Sequence, residues 1–175
     1  RAAEQYAARF DALAAQGTDV HGEASCCEML MPPPARVLDA GCGTGRVAIR
    51  LSDRGYDVTG ADVDDGMLRV ARDRAPGLRW VTADLASLDL GERYDLVVAA
   101  GNVIPLVAAG TEATVVARLA AHLAPGGLLV AGFGLDRQHL PPAGGLVALA
   151  AYDDWCADAG LELQDRYATW DRHPY

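Results

Sequence analysis

Apolar positions at the start of the chain recur at helical spacing. Tyr6, Phe10 and Leu13 stand at i, i+4 and i+7, which predicts an amphipathic helix ending near Gly17. HGEASCCEMLM (21–31) predicts a second helix, stopped by Pro32, Pro33 and Pro34. From residue 36 the pattern changes to short apolar runs alternating with helical periods. RVLDAG (36–41), DVTGAD (57–62), LRWVTAD (78–84) and RYDLVVAAGN (93–102) predict strands, the last nearly continuous in apolar residues, as a strand buried on both faces is. Between them, TGRVAIRLSDRG predicts a helix with Gly55 past its end, and DGMLRVARDRA a helix closed by Pro76. A helix over about 111–123, a turn at APGG, a strand LLVAGFG (128–134), a helix around 152–159 and a sixth strand LELQDRYATW complete the pattern. Strand and helix in alternation predict one α/β domain: a doubly wound, mostly parallel sheet in a three-layer α/β/α arrangement.

Composition narrows the function classes. The chain has 175 residues, is 51% hydrophobic, and contains no apolar run long enough for a membrane span or a signal peptide. A soluble cytoplasmic protein is the expectation, and a first residue other than Met predicts a chain trimmed from something longer. Net charge is −9 and all 15 basic residues are Arg. The missing lysine removes Schiff-base chemistry and a phosphate-loop lysine. An acidic chain without a basic stripe also argues against nucleic-acid and anionic-lipid partners, and in favour of a small neutral or cationic ligand. Cys26, Cys27, Cys42 and Cys156 form no C-x-x-C pair and have no His at zinc spacing, so reduced thiols and no metal are expected.

The densest chemical signal is VLDAGCGTGR (37–46). Gly41, Gly43 and Gly45 fall between a strand and the first turn of a helix, where a ligand can lie against bare backbone. The dinucleotide fingerprint G-x-G-x-x-G would need glycine at position 46, which is Arg46, so the spacing is G-x-G-x-G instead. Here the chain resembles the class I S-adenosylmethionine-dependent methyltransferases. The resemblance covers residues from about 35 to 165, with GADVDDGML (60–68), VTADL (81–85), YDLVVAAGNVI (94–104) and LAPGGLLVAGF (123–133) matching further family motifs in order. It implies a Rossmann-like methyltransferase fold with S-adenosyl-L-methionine as cofactor. Asp62 would bind the ribose hydroxyls, with Val63 beside it. Asp84 would accept from the adenine amino group, with Met67 and Leu85 flanking the ring. Gly41, Cys42, Gly43 and Gly45 would form the loop, and Ala100 and Asn102 would lie by the methionine part. Asp39 either binds the cofactor's amino group, directly or through water, or holds the loop's N–H groups. Residues 1–34 would form a helical lid over a core of 35–175.

The acceptor side is weakly marked. Methyl transfer from a sulfonium needs alignment and exclusion of water more than a dedicated base, so the resemblance implies an unidentified small-molecule acceptor and no assigned catalytic residue. GNVIP departs from the N-P-P-Y-type motif of methyltransferases acting on base or glutamine amino groups. His21, and His139 with Asp136, stand as candidate bases or as ordinary surface residues. The loop GFGLDRQHLPPAGG is long enough to shape an acceptor pocket. Family members close the sheet with an antiparallel seventh strand hairpinned to the sixth; here the chain stops at TWDRHPY. A non-catalytic methyltransferase-like module and, less favoured, an NAD-dependent oxidoreductase are the competing expectations. The sequence leaves the oligomeric state open.

Overall fold

The structure is a computed structural model describing residues 1–175. Two N-terminal helices, α1 (Ala2–Ala15) and α2 (Gly22–Leu30), precede an alternating core. That core runs β1 (Arg36–Ala40), α3 (Arg46–Asp53), β2 (Asp57–Asp62), α4 (Asp65–Arg74), β3 (Arg79–Thr82), a 3-10 turn (Leu85–Ser87), β4 (Tyr94–Ala99), α5 (Val103–Leu106), α6 (Glu112–Ala121), β5 (Leu123–Ala131) and α7 (Leu149–Asp158). The five strands pair in the order β3-β2-β1-β4-β5, all parallel. The order reverses between β1 and β4, which opens the crevice at their carboxyl ends where ligands of such sheets bind.

Period-two alternation splits the apolar residues of each strand between two cores. Val37, Val58, Leu96 and Val98 face Val47, Ala48 and Leu51 of α3 and Ala24 and Cys27 of α2. Leu38, Ala61, Val97 and Ala99 face the other way, toward Val115, Val116 and Leu119 of α6 and the partly buried Tyr152 and Trp155 of α7. Helix α1 lies outside α4, its Ala3 and Ala7 meeting Val70 with Met67 alongside. His122, buried after α6, is a structural residue: its Nε2 accepts from Leu90 N at 3.0 Å and its Nδ1 lies 2.7 Å from Arg118 O.

The sequence reading needs three corrections. The residues Ala124–Gly127 are not a turn before β5. They lie inside it as an irregularity, because the register jumps from Tyr94↔Leu123 to Leu96↔Leu128. Second, Val103–Leu106 forms the short helix α5, which the pattern did not indicate. Third, no sixth strand forms. Residues 161–170 find no ladder partner; only an isolated bridge joins Tyr167 to Pro174. The outer edge of the sheet therefore belongs to β5, and Leu163 remains 66% exposed.

Candidate functional site

The glycine loop joins β1 to α3, and four of its amides are already committed within the protein. Gly41 N and Cys42 N both donate to Ala61 O (2.8 and 3.0 Å), and Gly45 N donates to Cys42 O (2.9 Å). Gly43 N donates to the Asp62 carboxylate at 2.8 Å. All three glycines have positive φ: 75°, 56° and 81°. Their neighbours differ. A Cβ on Gly41 would stand 2.6 Å from Val103 of α5, and one on Gly45 would stand 2.5 Å from the Trp80 ring. At Gly43 a Cβ would meet nothing within 4 Å. Two glycines therefore admit the protein's own side chains, and only Gly43 leaves open space.

Asp62 ends β2 beside this loop. Its second carboxylate oxygen accepts from Asp64 N at 2.8 Å, so both oxygens are fixed by backbone donors with lone pairs to spare. Asp64, not Asp62, caps α4, accepting from Gly66 N and Met67 N. One strand further out, Asp84 is exposed and caps the 3-10 turn through Ala86 N at 2.8 Å. Val63 is 69% exposed, Met67 of α4 is half-buried against α1, and Leu85 is buried in the main core. Cys42 is buried and burial pushes its thiol well above the ordinary range; the Sγ lies 3.8 Å from Gly43 O.

Asp39 alternates with Val37 on the α3 face of β1 and is 2% exposed. Its carboxylate accepts from Ala48 N at 3.1 Å, in the first turn of α3. Burial lifts its carboxyl up to about 7, opposed by the Ala48 N–H and by Arg46. The fold therefore binds this proton more tightly than the unfolded chain. Its stabilisation is complete below the unfolded pKa of about 4 and is lost as pH rises toward about 7. Asp39→Asn keeps an acceptor for Ala48 without the charge. The variant is expected to melt higher than the wild-type chain at pH 8, with the gap closing toward pH 4, in thermal melts of the ligand-free protein. A gap independent of pH would contradict this assignment.

Across the crevice, Asn102 follows β4 with φ 67°. Its Oδ1 accepts from Gly134 N at 2.7 Å, its Nδ2 donates to His139 O at 3.2 Å, and its own N donates to Gly132 O at 3.1 Å. Ala100, half-buried, packs on the α3-side core.

Three features escaped the sequence reading. Arg46 makes a two-pronged ion pair with Glu23 of α2 (2.9 and 2.6 Å), donates to Val20 O, and stacks 4.4 Å over the Phe10 ring of α1. The first residue of α3 thus ties both N-terminal helices to the glycine loop. The pair is only 17% and 15% exposed. Trp80, on β3, lies across Gly60 of β2 to reach Gly45 and donates its indole N–H to Ala75 O at 2.9 Å. Trp170 packs against Gly132 just past β5, and against Gly22 at the start of α2. The only local hint was Arg46 itself, in the place of the third dinucleotide glycine; its partners lie on distant segments. Of the candidate bases, His21 precedes α2 with a buried, unpartnered Nδ1, and His139 Nδ1 lies 2.7 Å from Asp136 Oδ1.

The donor set suits vicinal hydroxyls and a cation. Asp62 offers acceptor capacity, Gly43 offers room, and four loop amides already bonded to Ala61, Asp62 and Cys42 leave it poorly disposed to act as an anion nest. Comparison with known proteins places the chain in a family. Residues 37–127 match the family model described as a methyltransferase domain. A TehB-like SAM-dependent methyltransferase from Corynebacterium glutamicum is 36% identical, superposes with a TM-score of 0.88, and is matched over 99% of this chain and 90% of its own. The chain belongs to the S-adenosylmethionine-dependent methyltransferases. An amino pentose methyltransferase from Micromonospora echinaspora, solved with SAM bound, is 31% identical with a TM-score of 0.66 over 77% of this chain and 59% of that one. Trans-aconitate 2-methyltransferase of Methylobacterium nodulans is 42% identical over 98 residues, 55% of this chain and 37% of that enzyme. This methyltransferase chain thus spans little more than a third of that curated relative, and none of its helices is long and apolar enough to cross a membrane.

Proposed function

We propose that this chain moves the methyl group of S-adenosylmethionine to a small-molecule acceptor by in-line displacement. The observation that carries it is Asp62, anchored at both oxygens beside the one loop glycine with open space above it. When bound, the cofactor supplies an electrophilic methyl on a good leaving group. The residues here bind and orient. Asp62 accepts from the two ribose hydroxyls. Exposed Asp84 accepts from the adenine amino group, with Val63, Met67 and the backbone of Leu85 around the ring. Gly43 lets the chain of the ligand lie against backbone, and Ala100 and Asn102 border its methionine end. Asp39 works from beneath, fixing α3 through Ala48 and leaving the loop firm. Helices α1 and α2, held by Arg46, act as a lid over the core of 35–175 and exclude water. Four unbridged thiols fit a cytoplasmic setting.

Thermal melts with S-adenosylmethionine, S-adenosylhomocysteine and NAD test this. A ligand at 100 times its Kd adds about 2.7 kcal/mol, or roughly 5–10 °C for a chain of this size. A shift with both sulfur ligands and none with NAD is expected; the absence of any shift in folded protein overturns the proposal.

A further inference from the structure

The loop after β5 carries a histidine mounted as a base is mounted. Asp136 Oδ1 lies 2.7 Å from His139 Nδ1 and also accepts from the backbone N of Gln138 (2.9 Å) and of His139 (3.1 Å). The ring's hydrogen bond holds the Asp136 carboxyl below the usual range, so Asp136 is an anion at neutral pH. An acceptor at Nδ1 keeps the proton on that nitrogen and leaves the Nε2 lone pair facing outward. Nε2 makes no hydrogen bond within the protein, and the ring is exposed.

The loop is held at the crevice by Asn102, which bonds Gly134 N through its Oδ1 and His139 O through its Nδ2. Gly134 is packed so closely that a Cβ there would stand 2.6 Å from that of His139. Asn102 also fixes Gly132, on which Trp170 lies as a flat wall. These groups sit at the β4–β5 end of the crevice, across the β1 loop from Asp62 and Asp84. Were Asp62 and Asp84 to hold the adenosine over β2 and β3, the rest of the cofactor would extend toward this end. The other histidines lack such a mounting: both nitrogens of His122 are bonded, His21 Nδ1 is buried and unpartnered, and no carboxylate orients His173.

Building on the proposed function, we propose that His139, positioned by Asp136, is the general base for an amine acceptor. His139 Nε2 takes a proton from the acceptor's ammonium. The freed nitrogen lone pair forms the N–C bond as the C–S bond breaks, and that bond's electron pair stays on sulfur as a neutral thioether. A carboxylate acceptor needs no base. It would also meet the like charge of Asp136. An amine is attracted by the carboxylate and needs to lose its proton.

The test uses the 175-residue chain with S-adenosylmethionine and three probes, glucosamine, tyramine and trans-aconitate, reading release of S-adenosylhomocysteine. An amine is expected to turn over. His139→Gln should lower kcat about 10²- to 10⁴-fold with KM and S-adenosylhomocysteine affinity within about twofold. Ring 15N resonances, assigned by loss in His139→Gln, should show the Nδ1–H tautomer in the neutral wild-type chain and its loss in Asp136→Ala, which removes the acceptor. Full turnover by His139→Gln overturns the inference. So does turnover of trans-aconitate alone or of no probe, or an Nε2–H tautomer in the wild-type chain. A wild-type chain that S-adenosylhomocysteine does not stabilise would instead bring down the methyltransferase proposal beneath it.

Discussion

Asp62→Ala is expected to raise the Kd for S-adenosylhomocysteine by about 30- to 150-fold, equivalent to ~2–3 kcal/mol. A carboxylate bonded to two hydroxyls contributes charge-assisted hydrogen bonds, and their loss is only partly made good by water. The variant also frees Gly43 N and Asp64 N, which now donate to the two carboxylate oxygens at 2.8 Å. Both lie in partly exposed surroundings where water replaces the lost acceptor, so the melting temperature of the ligand-free chain should fall by only a few degrees. Isothermal titration with S-adenosylhomocysteine, alongside a melt, separates the two effects. An unchanged Kd would mean that Asp62 serves only the turn.

The second large effect contrasts two glycines of one loop. Gly45→Ala forces a β-carbon at φ 81° to within 2.5 Å of the Trp80 ring and 3.2 Å of the Ala71 methyl. Left-handed strain costs about 1–2 kcal/mol and overpacking about 1–3 more, so a loss of roughly 5–15 °C in melting temperature is expected. Gly43→Ala carries the strain without the collision and should lose only a few degrees. Yet its methyl group occupies the space left for the ligand, so binding should fall more than about tenfold, as fits ~1.4 kcal/mol or more. Equal melting temperatures for the two variants, or unimpaired binding by Gly43→Ala, would contradict the division of labour drawn from the loop geometry.

How much was legible beforehand follows from how local each signal is. β1, β2 and β4 were readable as short runs buried on both faces, and β2 spans 57–62 as the pattern indicated. The glycine spacing and the acids at the strand ends were readable as a motif. The separate reasons for the glycines were not, because Val103 and Trp80 reach Gly41 and Gly45 from other elements. The APGG run carries turn chemistry, yet neighbouring β4 draws Leu123 into the ladder ahead of it. The alternation in LELQD is strand-like, but pairing depends on a neighbour that pattern alone does not reveal. The Arg46–Glu23 pair joins residues on different helices, and no periodicity connects them. For Asp39, burial on the α3 face explains its bond to Ala48.

Trp80 also makes the loop visible to light. Its indole rests on Gly45 and Gly60, and its N–H is bonded to Ala75 O. Trp155 sits against the core on α7, and Trp170 beyond β5. With Phe in place of Trp155 and Trp170, the remaining emission comes from a chromophore touching the glycine loop. Its wavelength and quenching would follow loop rearrangement in real time, without any label attached to the protein.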